Sequence, residues 1–248
     1  ASHQGAAIHT DRVGKWLDYL ELTDDAFRCG PQAPSDEDAR NGLIRAFEKP
    51  CQIHNNCSGK HAGFLTLTKH LKSGPDYVDP AHPVQMACLD AFEDITGLTS
   101  PGYGIDGCSA PNYATTLHGM ARAMATFAAA PEGSAEERLR SAMMLHPDLV
   151  AGEGRACTNL MRAMGGKVAV KTGAEAFFIA IIPEKKMGVA LKIVDGTTRA
   201  AECAIAAILV KLGVLDAELP ETMKYLNAPI RNWLGVQTGT QRAAPPMI

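Results

Sequence analysis

Apolar positions recur at spacings of three and four residues through most of the first half of the chain, as expected for helices with one buried face. Pro83 suits a first helical position, and Ser35 precedes an acidic first turn. A stretch rich in glycine and proline, 101–111, predicts a loop between the later helices. The helices predicted from this pattern are 12–22, 36–47, 59–72, 83–95, 112–128 and 135–145.

The pattern changes after residue 167. Short runs of β-branched and aromatic residues at 168–171, 177–182 and 189–194 predict strands, and the turn at 183–186 joins the last two into an antiparallel hairpin. A helix predicted over 197–212 ends at Gly213, which suits a C-terminal cap. The order of elements predicts an α/β (α+β) fold, with an antiparallel sheet packed by helices.

Composition excludes some classes of function. The chain has 248 residues and a net charge of −3, so it has no general attraction for nucleic acid or for an anionic membrane. The longest apolar run, 203–210, is too short to span a bilayer. Seven scattered cysteines, an odd number, predict reduced thiols and therefore a cytoplasmic location.

The segment 54–64 carries the densest group of polar and reactive side chains, directly before an apolar run. Cys57 is predicted to lie at a helix N-terminus, where the helix dipole would lower the pKa of its thiol. Lys60 follows three residues later on the same face. The pair can be interpreted as a thiolate with a basic neighbour, as two ligands for a soft metal, or as a structural cysteine beside a solvated lysine.

Two further places carry candidate chemistry. Lys171 opens a Lys-Thr-Gly sequence on a predicted strand, where an ammonium could lie beside an extended substrate; a surface lysine is the simpler interpretation. The loop 101–111 presents Cys108 near other polar residues. Thiolate pairs suit zinc, although spacing alone favours ordinary buried or loop thiols, and Cys157 is interpreted from its context as a small buried apolar residue.

Five blocks taken in order resemble the Rhizobium etli type L-asparaginases: 1–5, 28–31, 54–63, 106–111 and 171–175. The resemblance implies the fold of serine β-lactamases and penicillin-binding proteins, which bacterial glutaminases also use. It implies a homodimer that hydrolyses the side-chain amide of L-asparagine to L-aspartate and ammonia. Residues 1–248 would then form a single asparaginase-type domain, with a flexible tail at 241–248.

The same resemblance implies roles for individual residues. Zinc would be held by Cys57, Lys60 and Cys108, and Ser2 with Lys171 would form one of two catalytic serine–lysine pairs. The other pair, a Ser-x-x-Lys element, is expected upstream of Ala1, so the chain is expected to lack its N-terminal portion. Candidates for contact with the substrate are Asn55, Asn56, His61 and Cys157.

Two alternatives stay open at this point. A glutaminase or a β-lactam-recognising serine hydrolase of the same fold would share the Lys-Thr-Gly sequence that begins at Lys171. A non-catalytic zinc-binding domain would keep the cysteines and Lys60 without a nucleophile.

Overall fold

The computed structural model describes residues 2–244. The chain divides into two compact units, Ala1–Thr115 and Thr116–Ile248, called here the first and the second unit. Within the described residues no helix is both long enough and apolar enough to cross a membrane.

The first unit is mainly helical. Helices α1, α3 and α4 enclose a core in which Phe27, Tyr77 and Val84 are almost completely buried. Strands β1 and β2 pair antiparallel, with Tyr103 opposite Tyr113. The elements are α1 (Ala7–Leu20), α2 (Glu37–Arg45), α3 (Ser58–Leu71), α4 (Pro83–Thr96), β1 (Tyr103–Ile105) and β2 (Pro111–Tyr113).

Several predicted boundaries in this part of the chain are wrong. Helix α1 begins at Ala7 rather than at residue 12, after an extended Ala6. The predicted loop 101–111 contains β1 and the turn into β2. The helix predicted from residue 112 begins only after Thr116, whose side chain accepts a hydrogen bond from the backbone N–H of Gly119 and so caps the first turn.

The second unit combines helices with two small antiparallel sheets. One sheet has three strands in the order β3-β4-β5, and the other is the hairpin β6-β7. The elements are α5 (Leu117–Ala129), α6 (Ala135–Leu145), α7 (Pro147–Val150), α8 (Ala156–Ala163), β3 (Ala169–Thr172), β4 (Phe177–Ile182), β5 (Met187–Lys192), α9 (Thr198–Lys211), α10 (Pro220–Leu226), β6 (Pro229–Arg231) and β7 (Gln237–Thr240).

In the larger sheet, β4 is the central strand and pairs with β3 on one side and β5 on the other. Phe178 is fully buried and lies opposite Thr172 on one side and Leu191 on the other. The predicted hairpin is confirmed, because Ile182 pairs with Met187 across a short turn. Helix α5 packs on β5 so closely that a Cβ at Gly188 would lie 2.2 Å from the carbonyl oxygen of Ala121. The helix backbone therefore rests directly on the strand.

The predicted mixed α/β class agrees with these small antiparallel sheets and many helices. The likeness to serine β-lactamases stays a prediction. Of the predicted tail, 241–248, Ala243 is buried against Cys203 and Ala207, and residues 245–248 lie outside the described residues, as does Ala1 of the block 1–5.

Candidate metal centre

Four side chains with metal-binding chemistry meet in the first unit. Cys57 directly precedes α3 and Lys60 lies in the first turn of that helix. Asp106 and Cys108 lie in the turn between β1 and β2. A helix start and a hairpin turn thus bring together residues that are about fifty positions apart in the sequence.

The start of α3 is fixed by the buried side chain of Asn55. Its Oδ1 accepts a hydrogen bond of 2.8 Å from the backbone N–H of Cys57. Its Nδ2 donates to the carbonyl oxygens of Cys29 and Gly30, at 2.9 and 3.0 Å. Because both ends of the amide are engaged, Asn55 holds the backbone that presents the Cys57 sulfur.

The β1–β2 turn places one carboxylate oxygen of Asp106 next to the sulfur of Cys108. The backbone N–H of Ser109 donates to the carbonyl of Asp106 at 2.8 Å, and Ser109 takes a left-handed conformation with φ of 71°. Asp106 Oδ1 accepts from the backbone N–H of Gly107 at 2.8 Å. The other oxygen, Oδ2, lies 2.9 Å from Cys108 Sγ.

The four side chains converge on one region. Lys60 Nζ lies 3.1 Å from Cys108 Sγ and 3.4 Å from Asp106 Oδ2. The ligand atoms of Cys57, Asp106 and Cys108 all lie within 4.8 Å of one another. Two sulfurs and a carboxylate oxygen are donor types that zinc commonly accepts. A lysine amine is an unusual zinc ligand and must first lose its proton.

The two thiols of this cluster have opposite pKa shifts. The pKa of Cys57 is raised by the adjacent Cys108 sulfur and by burial. The pKa of Cys108 is lowered because the Cys57 thiol donates to its sulfur, an effect that outweighs burial. The lowering predicted at Cys57 from its helix position is therefore wrong, since the neighbouring sulfur dominates the helix dipole.

Lys60 balances this negative charge. Burial works against its charged form, but the hydrogen bond to Cys108 and the charges of Cys57, Cys108 and Asp106 outweigh burial and raise the pKa of Lys60. The ammonium is therefore retained when no metal is bound. It occupies a position beside two acidic groups, where a metal cation would also be stabilised.

His61 supports the cluster from the buried side of α3. Its side chain is fully buried, and Nδ1 lies 2.9 Å from the hydroxyl of Tyr77. The Tyr77 oxygen accepts a hydrogen bond of 2.7 Å from the backbone N–H of Arg28, which leaves its own hydrogen for His61 Nδ1. His61 also helps to lower the pKa of Cys108.

Two predicted site residues lie together in the second unit. Cys157, in the first turn of α8, is buried, and its sulfur accepts a hydrogen bond of 3.2 Å from the backbone N–H of Thr172. Burial raises the pKa of Cys157, and the positive charge of Lys171 on β3 opposes that rise. The Lys171 ammonium is half-buried and donates to the carbonyl oxygen of Thr172.

The remaining predicted residues lie in the first unit. Ser2 is half-buried at the start of the described chain. The backbone of Asn56 is held on both sides, because its N–H donates to Gln32 Oε1 at 2.9 Å and its carbonyl accepts from His3 at 3.2 Å. Asp106 was not among the ligands inferred from the sequence. Its position two residues before Cys108, in a glycine-flanked turn, was the available signal.

Comparison with protein families identifies the family of this chain. No curated protein sequence matches the chain. The family model described as L-asparaginase II matches residues 1–243, nearly the whole chain. The protein that carries this Cys-Lys-Asp-Cys cluster therefore belongs to the L-asparaginase II family.

Proposed function

We propose that the protein is an L-asparaginase of the Rhizobium etli type, which hydrolyses the side-chain amide of L-asparagine to L-aspartate and ammonia. Membership of the L-asparaginase II family implies an amidohydrolase. The observation that carries the finer proposal is the convergence of Cys57, Lys60 and Cys108, the residues that the resemblance assigns to zinc, around one region of the first unit.

The donor atoms of this cluster fit zinc. All seven cysteines are free, so no disulfide competes for Cys57 or Cys108. We assign Cys57, Lys60 and Cys108 as the ligands, because these are the residues that the family resemblance assigns to zinc. Three protein ligands are also the usual number in catalytic zinc sites. A bound zinc ion would act as a Lewis acid toward the amide carbonyl. Lys60 must lose a proton to serve as a ligand, which a nearby dication favours.

Asp106 supports the ligands in this assignment. Its Oδ2 contacts both Cys108 Sγ and Lys60 Nζ, so it orients two ligands with one carboxylate oxygen. Partners of this kind fix the geometry of metal ligands and raise their affinity for the metal.

Serine and lysine residues supply the proton transfers. A serine hydroxyl is a weak nucleophile at neutral pH and needs a neutral amine to accept its proton. In the proposed reaction Lys171 tunes this serine–lysine network and Ser2 relays protons. Water is consumed, the C–N bond of the amide breaks, and the nitrogen leaves as ammonia after protonation. The residues proposed to contact or orient the substrate are Asn55, Asn56, His61 and Cys157.

The proposal also covers the cellular compartment and the oligomeric state of the protein. Free cysteines throughout the chain suit a reducing compartment, so we propose a cytoplasmic enzyme. The family resemblance adds a homodimer, with L-asparagine as the small-molecule partner.

Ammonia release from L-asparagine tests the proposal. The assay uses zinc-loaded and chelator-treated protein. L-Glutamine and a chromogenic β-lactam are run in parallel. Zinc-dependent release from L-asparagine is expected. Faster turnover of L-glutamine or of the β-lactam would contradict it, and zinc binding without turnover of any substrate would favour a non-catalytic domain.

A further inference from the structure

One buried imidazole ties the beginning of the described chain to the start of α3. His3 is 3% exposed, and its backbone N–H donates to the carbonyl of Asn56 at 3.2 Å. Its Nε2 lies 2.9 Å from the hydroxyl of Ser58, which is fully buried. Both partners are immediate chain neighbours of Cys57, so His3 contacts the segment that presents a proposed metal ligand.

The hydrogen bonds of His3 define its tautomer. Nδ1 accepts the backbone N–H of Gly5 at 3.0 Å, so this nitrogen carries no hydrogen. The hydrogen of the neutral ring is therefore on Nε2 and is donated to Ser58 Oγ. Burial, together with the stacked ring of His9 at 4.9 Å, lowers the pKa of His3 to about 3, which keeps the ring neutral in ordinary buffers.

We propose that His3 is a positioning residue for the reaction, which holds the Ser2 hydroxyl in place relative to Cys57 and Lys60 through the Nε2–H···Oγ bond to Ser58. The inference rests on the proposed function, in which Ser2 relays a proton. Ser2 directly precedes His3, so the anchored backbone and ring of His3 fix the position of Ser2. Ser58 opens the helical turn that contains Lys60. A displacement of about 1 Å in such an arrangement can cost about 100-fold in rate.

Two substitutions at His3 test the roles of its two ring nitrogens separately. His3→Asn keeps an acceptor for the Gly5 N–H, since asparagine favours this turn to the residue two positions ahead, but its side chain is too short to reach Ser58. His3→Gln places an amide N–H near the position of Nε2 and can still donate to Ser58. Ser58→Ala removes the acceptor without adding bulk. His70→Asn, at an exposed position on the same helix, is the matched control.

The expected result is a lower kcat with unchanged metal content. His3→Asn and Ser58→Ala should each lower kcat about 10- to 100-fold while zinc stays at the wild-type level, and the double variant should be no slower than the slower single variant. His3→Gln should stay within about threefold of wild type. An unchanged kcat in His3→Asn, equal losses in His3→Asn and His3→Gln, or zinc loss parallel to the activity loss would overturn the inference.

Amide hydrogen exchange provides a second readout that needs no substrate. Exchange at the His3 amide, which donates to Asn56, should accelerate in His3→Asn and Ser58→Ala but not in His3→Gln or His70→Asn. Failure of the proposed function would appear as absent ammonia release from the wild type. Failure of this inference would appear in an active wild type, as variants that differ neither in exchange nor in kcat.

Discussion

Cys108 in the first unit and Cys157 in the second are both buried, yet their surroundings differ in kind. Cys108 contacts the ammonium of Lys60 and the carboxylate of Asp106. Cys157 receives a single backbone hydrogen bond, from Thr172. The pKa of the first thiol is lowered and that of the second is raised. Burial therefore disfavours a thiolate, and the charge of Lys171 near Cys157 does not overcome it. In the first environment an ammonium and a carboxylate lie within hydrogen-bond distance of the sulfur.

The largest effect is expected at Lys171, which would show that the second unit contributes to the chemistry. Lys171→Ala should lower kcat by about a thousandfold, because the lysine that tunes the proposed proton relay is lost. Steady-state ammonia release measures kcat, and Lys185→Ala in the exposed β4–β5 turn is the matched control. A kcat close to wild type would remove Lys171 from the proposed mechanism.

Zinc content tests the contrast between the two cysteine environments directly. Cys57→Ala should reduce bound zinc from about one per chain to a small fraction, since a proposed sulfur ligand is missing. Cys157→Ala should keep its zinc, because its sulfur accepts a backbone N–H and is not one of the proposed ligands. Elemental analysis after gel filtration decides it, with Cys203→Ala as a further control. Equal zinc in the two variants would contradict the assignment.

A smaller change is expected at the carboxylate that supports the ligands. Asp106→Asn keeps the size of the side chain and removes its charge, so it should weaken zinc affinity about 10- to 100-fold without abolishing binding. Competition with a fluorescent chelator measures the affinity. Complete loss of zinc would instead identify Asp106 as an essential ligand.

The smallest effect concerns stability at acid pH. The pKa of His3 is lowered to about 3 from 6.5, so the unfolded chain takes up a proton at this residue between those values and the folded chain does not. His3 should therefore make stability fall as pH decreases from 6.5 toward 3, by up to about 1.4 kcal/mol per pH unit. Urea unfolding at pH 7, 6 and 5 should show a steeper dependence in wild type than in His3→Gln. Parallel curves would contradict the shift.

Most of the fold could be predicted from local pattern. The strands around Phe178 and the helix before Gly213 follow from runs of β-branched residues and from a glycine at a helix end. The start of α5 could not be predicted from apolar spacing, because the cap at Thr116 and the pairing of β2 decide it. Strand pairing over ten residues of glycine-rich sequence is a tertiary effect that hydrophobic periodicity does not record.

The candidate site could be predicted only in part. The resemblance grouped Cys57, Lys60 and Cys108, and the structure brings these three together. The direction of the pKa shift at Cys57 could not be predicted, because it depends on a sulfur about fifty residues away rather than on its own helix. Asp106 was missed for the same reason, since its role depends on the direction of one carboxylate oxygen.

Gly188 limits how this protein can be altered. The backbone of α5 occupies the space that a side chain would need, with the amide nitrogen of Ala125 only 2.3 Å from the position of a Cβ. Even alanine would have to push the helix away from the sheet. Mutant libraries aimed at the second unit should therefore leave position 188 constant, and a sequence with any other residue there would have to dock α5 differently.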